Sequence, residues 1–405
     1  MSNSNVNRVV LAYSGGLDTS VIVRWLKEEY DCEVIAFSAD LGQKEDLDPL
    51  RERARVAGAE DIVIEDLREE FAEEYVLPAL KAQAIYENGY PLATALGRPL
   101  ISKYLVKVAE EYDADAVSHG STGKGNDQVR FEVSARALNP DIEVLAPVRD
   151  WDMDTRDDEI DYAEEHGIPV EATKENPYSY DLNLWGLSVE CGPLEDPWNR
   201  PPEEIYKMTD SPKEAPGEAE EVVIGFEAGK PVSLNDQAYP LHELIEQLNS
   251  IAGRHGIGRI DMVENRLVGL KSREVYEAPA GTVLFKAHRG LMDLVLERDL
   301  YHQLQRLSLR YAELVYNGQW FSPLRESFDA MVDQAQQSLT GEVRVECYKG
   351  RATVNGRRSP NSLYDESLAT YDEGDRFDQS LSEGFVRLWG LPLKVAGRQK
   401  QLLDQ

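Results

Sequence analysis

The chain has 405 residues, 42% of them hydrophobic, which is enough for two domains with a substantial core. No apolar stretch approaches the ~20 residues that span a bilayer, and the N-terminus has no signal-peptide pattern, so a cytoplasmic location and no membrane partner are predicted. The net charge of −31 is spread along the chain. Because such a surface repels the phosphates of nucleic acids, no nucleic-acid partner is expected.

Cysteine and histidine usage gives no sign of a metal centre or a disulfide framework. The three cysteines form no CxxC pair, and the six histidines show no HExxH-type spacing. We therefore predict no metal site built from side chains of the protein alone. Only 15 of the 43 basic residues are lysine, and this acid-rich, lysine-poor composition indicates adaptation to high salt.

The first part of the chain alternates between short β-rich runs and longer helical patterns. The predicted strands are RVVLAY, EVIAFSADLG, DIVIEDL, DAVSHG and EVLAP. The predicted helices cover about 19–30, 45–58, 68–86, 99–112, a segment from 127, and 155–166. This βαβα order predicts an α/β fold with a doubly wound parallel sheet. Such sheets bind ligands beyond the carboxyl ends of their strands, where the loops AYSGGLDTS and HGSTGKGND are expected.

The pattern changes near residue 170. Segment 176–220 is rich in Pro, Asn, Gly and Trp and lacks periodicity, so irregular packing is expected, with Trp185 and Trp198 in the core. Further strands (221–229, 258–269 and 341–356) and helices (240–252, 283–315 and 324–338) indicate an α+β second domain. Residues after 370 are too few for a domain, so their apolar side chains are expected to pack on another subunit. The predicted divisions are 1–170, 171–369 and 370–405.

The loop AYSGGLDTS carries more small polar groups than a turn between a strand and a helix requires. Its glycines permit a tight turn and close backbone approach to a ligand. The following helix offers unpaired N–H groups and a positive dipole end, and hydroxyl side chains lie on both sides. These features predict a phosphate cradle, although the spacing and lysine of a Walker A loop are missing. A strand–helix turn with a Ser or Asp cap is the alternative interpretation.

The loop HGSTGKGND is also rich in glycine, which lets the backbone curl around a ligand. Arg130 lies one helical turn beyond Asn126, and a guanidinium fork suits a substrate carboxylate. Asp127 adds a carboxylate to the same segment. A glycine-rich loop with an Asn or Asp helix cap explains this segment equally well by itself.

The motif SGGLDTS after a first strand resembles the signature of ATP pyrophosphatases, which cleave ATP between the α- and β-phosphates. The rest of the chain resembles the argininosuccinate synthase family, in order, through FSADLGQ, YPLATALGRPLISK, HGSTGKGNDQVRFE, NPYSYDLNLWGLSVECGPLEDPW, RIDMVENRLVGLKSREVYE and YNGQWFSPLR. The resemblance implies a ligase of arginine biosynthesis that joins citrulline to aspartate through citrullyl-AMP and releases AMP and pyrophosphate. It also implies Mg²⁺ with ATP and a homotetramer. Residues 1–170 would bind the nucleotide, 171–369 would form the synthetase and multimerisation domain, and 370–405 would be an oligomerisation tail.

The resemblance also implies roles for single residues. The implied ATP-binding residues are Ala12, Tyr13, Ser14, Gly15, Gly16, Leu17, Asp18, Thr19, Ser20, Ala39 on the adenine side, and Gly120. The implied aspartate-binding residues are Thr122, Asn126 and Asp127. The implied citrulline-binding residues are Tyr90, Asn126, Arg130, Ser179, Ser188, Glu264 and Tyr276. Asp127 and Asp18 are predicted to be catalytic, the first by engaging the aspartate amine, and Asp18 either favours the helix dipole or holds Mg²⁺.

Some positions leave the interpretation open. Ala95 stands where relatives often have serine, and Thr94 could supply that hydroxyl. Ser121 replaces a frequent cysteine without expected consequence. Glu264 suits the citrulline ammonium, but an ion pair with Arg266 or Arg273 is the alternative, because a buried carboxylate needs a partner.

Three other functions fit the sequence less well. A tRNA-thiolating enzyme of the same nucleotide fold would need reactive cysteines and a basic surface, and neither is visible. A non-catalytic nucleotide-binding module would explain the first domain but not the polar motifs at 176–198 and 262–276. A glutamine-using synthetase is disfavoured because no amidotransferase domain fits beside these two.

Overall fold

The computed structural model of the chain describes residues 6–43, 48–153, 155–168 and 177–404. The predicted boundary between residues 170 and 171 therefore lies outside the described residues. The chain forms two compact units, Met1–Asn361 and Ser362–Gln405.

A five-stranded parallel sheet forms the first half of the large unit. Its strands are β1 (Arg8–Ala12), β2 (Glu33–Asp40), β3 (Asp61–Asp66), β4 (Ala116–Ser118) and β5 (Glu143–Leu145), in the spatial order β3-β2-β1-β4-β5. The helices are α1 (Leu17–Tyr30), α2 (Asp48–Ala57), α3 (Arg68–Glu70), α4 (Leu77–Lys81), α5 (Ala93–Glu111), α6 (Asp127–Leu138), α7 (Pro147–Asp150) and α8 (Arg156–Glu165). A π-helical segment, Phe71–Val76, joins α3 to α4.

Helices cover both faces of this sheet, as predicted. On one face, Val9 and Leu11 of β1 belong to a core that includes residues of α1, α2 and α8. Val10, between them, points to the other core, which includes residues of α5 and the π-helical segment. The strands are apolar on both sides because both sides are buried. β1 and β4 are neighbours at the point where the strand order reverses, and this is where ligands bind in such sheets.

Beyond residue 176, two antiparallel sheets form. The strands are β6 (Ser179–Asn183), β7 (Gly186–Glu190), β8 (Glu220–Glu227), β9 (Lys230–Leu234), β10 (Gln237–Ala238), β11 (Arg259–Asn265), β12 (Lys271–Glu277), β13 (Gly341–Tyr348) and β14 (Arg351–Arg358). One sheet has the order β11-β12-β7-β6 and the other β10-β9-β8-β13-β14. The helices are α9 (Leu241–Arg254), α10 (Pro279–Val295), α11 (Arg298–Tyr316) and α12 (Pro323–Gln336), and 3₁₀ turns cover Gly192–Glu195 and Glu203–Ile205. The predicted α+β character is confirmed.

Three sequence-based expectations for this region are wrong. The helical pattern over 283–315 is two helices, because Leu296 is extended and the side chain of Glu297 accepts hydrogen bonds from the first amides of α11. The segment expected to pack irregularly contains the β6–β7 hairpin. Trp185 is fully buried as expected, whereas Trp198 is 94% exposed and does not lie in the core.

The smaller unit contains three helices, α13 (Glu366–Ala369), α14 (Leu381–Trp389) and α15 (Leu391–Leu403). Its large apolar side chains are exposed, with Phe385 at 63% and Trp389 at 72%. Their packing on another subunit stays a prediction. Within the described residues, no helix combines the length and the apolar character needed to cross a membrane.

Candidate active site

The loop after β1 leads directly into α1 through two glycines. Gly15 has a φ of +77°, and a Cβ there would lie 2.1 Å from Leu50 Cδ2, so only glycine fits. Gly16 is the N-cap of α1, and among the described residues no side chain caps that helix. The alternative of a Ser- or Asp-capped helix is therefore wrong. The amide that donates to the Ser14 hydroxyl is that of Gly16 itself, at 3.4 Å, and in the described ranges the first-turn amides of α1 have no capping side chain. Ser14 Oγ lies 3.2 Å from Thr19 Oγ1 beside them.

The other residues implied in ATP binding lie at the same edge of the sheet. Ala12 ends β1, and Ala39 lies near the end of the neighbouring β2. Gly120 follows β4 and approaches α1 so closely that a Cβ there would lie 3.4 Å from Thr19 Cγ2. Tyr13 is buried beneath the loop, with its hydroxyl 3.1 Å from Ser20 Oγ. The structure thus brings the two glycine-rich loops together, as the order of the strands requires.

Asp18 in the first turn of α1 has a neighbour that the sequence analysis missed. Burial and the Asp18 carboxylate raise the pKa of Glu159, on α8, to about 8. Glu159 Oε2 is buried and has no hydrogen-bond partner among the described residues. Two facing carboxylates at the phosphate loop are the hard oxygen donors that Mg²⁺ prefers. The only sequence signal for Glu159 was the acidic run that contains it.

The sheet β11-β12-β7-β6 presents one polar face to the site. Asp181, Ser188 and Tyr276 are cross-strand partners and therefore share that face. Leu187, Val189 and Val275 lie on the opposite face and form a separate small core with Leu194 and Ile205 of the 3₁₀ turns. The period of two along each strand thus separates a substrate-facing surface from a buried one.

Tyr90 links this sheet to the start of α5. Its ring stacks on Tyr276 with centroids 4.0 Å apart, and its hydroxyl accepts hydrogen bonds from the amides of Thr94 and Ala95 at 2.9 and 3.3 Å. The hydroxyl therefore binds the free amides of the helix N-terminus. Thr94 Oγ1 lies 3.2 Å from Ser188 Oγ, so a hydroxyl is present beside the buried Ala95.

Glu264 is 3% exposed and is held by two phenols. Tyr276 and Tyr316 donate to its two oxygens at 2.7 and 2.5 Å. Burial raises the pKa of Glu264, although these hydrogen bonds oppose the rise. The alternative of an ion pair with Arg266 or Arg273 is wrong. Those arginines pair with other carboxylates, namely Glu190, Glu274 and Asp261.

Asn126 and Arg130 stand at the centre of the site. Asn126 donates through Nδ2 to the Tyr316 hydroxyl at 2.7 Å and accepts from the Leu267 amide at 2.9 Å. It makes no side-chain cap on α6, so the interpretation as a simple helix cap is wrong for Asn126. Arg130 donates to the Tyr316 carbonyl at 3.0 Å. Gly318, with a φ of +72°, permits this approach, because a Cβ there would lie 2.8 Å from the Arg130 Cα.

Asp127 lies between two guanidinium groups. Arg98 donates to its Oδ2 and Arg130 to its Oδ1, both at 2.8 Å. Burial alone would raise the pKa of Asp127, but the two arginines outweigh it and lower the pKa. Arg98 also donates to Asp181 on the polar sheet face. Arg98 was not assigned a role from the sequence, although it lies within the motif GRPLISK.

Two implied substrate residues stand apart from this cluster. Ser179 is exposed at the start of β6, opposite Glu190, and Thr122 is exposed in the second loop. Within the described ranges, no hydrogen bond joins either side chain to the cluster. Their roles stay predictions.

Known protein families match almost the whole chain. A family model described as "Arginosuccinate synthase N-terminal HUP domain" matches residues 8–169, and one described as "Arginosuccinate synthase C-terminal domain" matches residues 178–396. The chain belongs to the argininosuccinate synthase family. It is 60% identical to the argininosuccinate synthase of Aquifex aeolicus, covering 97% of this chain and 98% of that protein. It is 56% identical to that of Symbiobacterium thermophilum, covering 96% and 97% of the two chains.

The likeness to solved structures is weak. The U34-tRNA thiolase NcsA from Methanococcus maripaludis is matched over 44% of this chain and 63% of that chain, at 18% identity and a TM-score of 0.27. The functional interpretation therefore depends on the family match and on the site geometry.

Proposed function

We propose that this chain joins citrulline to aspartate with ATP, forming argininosuccinate, AMP and pyrophosphate. In the first step, the ureido oxygen of citrulline attacks the α-phosphorus and pyrophosphate leaves. In the second, the aspartate amine attacks the activated ureido carbon, loses a proton and displaces AMP. One observation carries the proposal: the phosphate cradle and the polar sheet face lie on one compact unit of a chain that matches this family over nearly its full length. The same match favours this reaction over tRNA thiolation or nucleotide sensing.

The ATP phosphates would bind over the first turn of α1. The amides that follow Gly16 point to this position, and the helix dipole favours an anion there. Asp18 and Glu159 would hold Mg²⁺, because magnesium sites typically combine one or two carboxylates with substrate phosphates. When bound, the metal supplies positive charge that screens the departing pyrophosphate. The hydroxyls of Ser14 and Thr19 would orient the same phosphates.

Citrulline would lie on the polar sheet face. Its ammonium group fits Glu264, whose raised pKa reflects a buried carboxylate held by hydroxyls alone rather than by a cation. A substrate cation would favour the ionised form of this carboxylate. The stacked rings of Tyr90 and Tyr276 would position the aliphatic part of citrulline, and Arg130 would face its carboxylate.

Aspartate would bind next to Asn126 and Asp127. A carboxylate with a lowered pKa is a weak base, so the geometry favours a role for Asp127 in holding the aspartate ammonium rather than removing its proton. Asp127 also fixes the guanidinium groups of Arg98 and Arg130 beside the substrates. This refines the expectation that Asp127 acts on the aspartate amine.

The assembly would be a homotetramer located in the cytoplasm. The exposed apolar side chains of α14 and α15 support packing of the smaller unit against another copy of the chain. Both features remain part of the proposal.

Product analysis tests the proposed function. Protein supplied with ATP, citrulline and aspartate should release AMP, pyrophosphate and argininosuccinate in equal amounts. Omitting aspartate should leave exchange of labelled pyrophosphate into ATP, whereas omitting citrulline should abolish it. ADP as the main product, or exchange without citrulline, would contradict the proposal.

A further inference from the structure

We infer that Tyr316, at the end of α11, is a positioning residue that orients Glu264 and Asn126 for the two amino-acid substrates; this inference depends on the proposed function. Tyr316 lies in the motif YNGQWFSPLR, for which the sequence analysis assigned no role. Its side chain is buried, at 1% exposure. It connects residues that are far apart in the sequence and belong to different parts of the site.

The hydroxyl of Tyr316 is the middle member of a directed hydrogen-bond chain. It accepts from Asn126 Nδ2 at 2.7 Å and donates to Glu264 Oε1 at 2.5 Å. The Leu267 amide donates to the other end of the Asn126 side chain. Both the Nδ2 and the Oδ1 of Asn126 thus have hydrogen-bond partners. Tyr316 and the β11–β12 turn therefore fix the orientation of this side chain. The hydroxyl therefore joins an implied citrulline residue to an implied aspartate residue.

The ring of Tyr316 is held by contacts that do not involve its hydroxyl. It stacks on Tyr86, with centroids 3.6 Å apart and planes at 7°, and meets the edge of Tyr90 at 6.4 Å. The Arg130 guanidinium lies 4.9 Å from the ring centroid. Phenylalanine would keep these contacts, so Tyr316→Phe removes the hydrogen-bond chain and little else.

Loss of the hydroxyl has an electrostatic consequence at Glu264. Tyr316 and Tyr276 are the two hydrogen-bond donors that oppose the effect of burial on the Glu264 pKa. The positive charges of Arg130, on α6, and Arg266, after β11, also lower this pKa. Glu274 on β12 is a neighbouring carboxyl group, and the charge of Glu264 contributes to raising the pKa of Glu274.

Removing one donor therefore raises the pKa of Glu264 further. At a given pH, a larger fraction of the carboxylate is then protonated, and a protonated Glu264 cannot pair with the citrulline ammonium. The loss should be smaller at higher pH, where the carboxylate ionises again.

The test compares Tyr316→Phe with Tyr311→Phe. Tyr311 lies on the same helix, is also buried, and donates to Asp329 at 2.7 Å, in a hydrogen-bond pair separate from the site cluster. Both variants remove the hydroxyl of a buried tyrosine that donates to a carboxylate, so a purely structural effect should be of the same order in the two. Thermal melts would measure that shared effect.

Steady-state kinetics give the outcome that distinguishes the two variants. In Tyr316→Phe, kcat/KM for citrulline at pH 7 should fall about 10- to 100-fold, the range for losing a hydrogen bond to a charged group. Its acid limb should move up by about one pH unit, so that part of the loss is recovered at pH 9. The KM for ATP should stay near the wild-type value. Tyr311→Phe should keep the wild-type profile for citrulline.

Each outcome supports the inference or overturns it. A citrulline profile in Tyr316→Phe that matches Tyr311→Phe, or a loss that is constant across pH, would assign Tyr316 a packing role only. If Tyr316→Phe folds poorly, citrulline turnover is measured on the remaining folded fraction. Recovery of that turnover at pH 9 still supports the inference, because ionising Glu264 does not reverse misfolding. A wild-type protein that forms no argininosuccinate would instead refute the proposed function and with it the inference.

Discussion

Replacing Arg98 with methionine should have two effects with separate causes. It should destabilise the protein, because Asp181 loses its partner, and it should weaken aspartate binding, because Asp127 loses one of its two neighbouring positive charges. Arg98 holds Asp127 at 2.8 Å and also donates to Asp181, and its own side chain is 17% exposed. Methionine fills a similar volume on the ring of Phe131 without a charge. The substitution leaves Asp181 without its guanidinium partner, whereas Asp127 keeps Arg130.

The size of the effect follows from the exposure of the partners. Removing one member of a fully buried ion pair costs about 3–5 kcal/mol. Asp127 and Asp181 are 26% and 28% exposed, so water can partly replace the lost donor and about 2–3 kcal/mol is expected. At roughly 2 °C per kcal/mol, which is the lower end for large domains, the Tm should fall by roughly 4–6 °C.

The assay separates stability from site electrostatics by adding Asp181→Asn. The double variant removes the unpaired carboxylate, so it should recover part of the Tm. It should not recover aspartate turnover, because Arg98 is one of the two charges that keep the pKa of Asp127 low. The acid limb of kcat/KM for aspartate should therefore lie at higher pH in both variants. An unchanged Tm and aspartate profile in Arg98→Met, or full recovery of both by Asp181→Asn, would refute this reasoning.

Three further predictions follow from the site and the smaller unit. Glu264→Gln should raise the KM for citrulline far more than that for ATP, since losing a buried charge-assisted contact costs about 2–5 kcal/mol; equal changes would indicate general damage. Burial and Asp18 raise the pKa of Glu159 from 4.5 to about 8, so its contribution to stability is full below about pH 4.5 and is lost progressively as the pH rises to about 8. The Tm of Glu159→Gln should therefore be higher than that of the wild-type protein at pH 8–9 but not at pH 5. Deleting residues 370–405 should dissociate the oligomer, and an unchanged mass by light scattering would exclude this role.

The parallel sheet could be predicted from the sequence because its strands are continuous apolar runs between helical patterns. The β6–β7 hairpin could not, because its two-residue turn is Leu184-Trp185 rather than the Asn-Gly type expected for hairpins. The structure explains this turn by burial: Trp185 Nε1 donates to the Pro91 carbonyl at 2.9 Å, and the Leu184 amide donates to Leu41. Packing against the first half of the large unit therefore stabilises this turn, although its two residues are not typical of hairpin turns.

The site was predictable residue by residue only where a motif matched the family. The partners that set the chemistry were not, because each lies far along the chain from the residue it serves. Arg98 is 29 residues from Asp127, and Tyr316 is 190 residues from Asn126. The periodicity of a sequence does not predict such long-range contacts. They form because α5, α6 and the end of α11 pack around the polar sheet face.

The two carboxylates that would hold substrate ammonium groups are kept in different electrostatic states. Asp127 lies between two guanidinium groups, which lower its pKa, whereas Glu264 has hydroxyl donors and a raised pKa. Asp127 therefore remains an anion over a wide pH range, and Glu264 is ionised most readily when a cation arrives. The two arginines therefore keep Asp127 ionised for the aspartate ammonium, while the buried Glu264 carboxylate gains most from the arrival of a substrate cation. Because a carboxylate with a lowered pKa is a weak base, Asp127 would hold the aspartate amine next to the ureido carbon without removing its proton, whereas Glu264 would retain citrulline through adenylation.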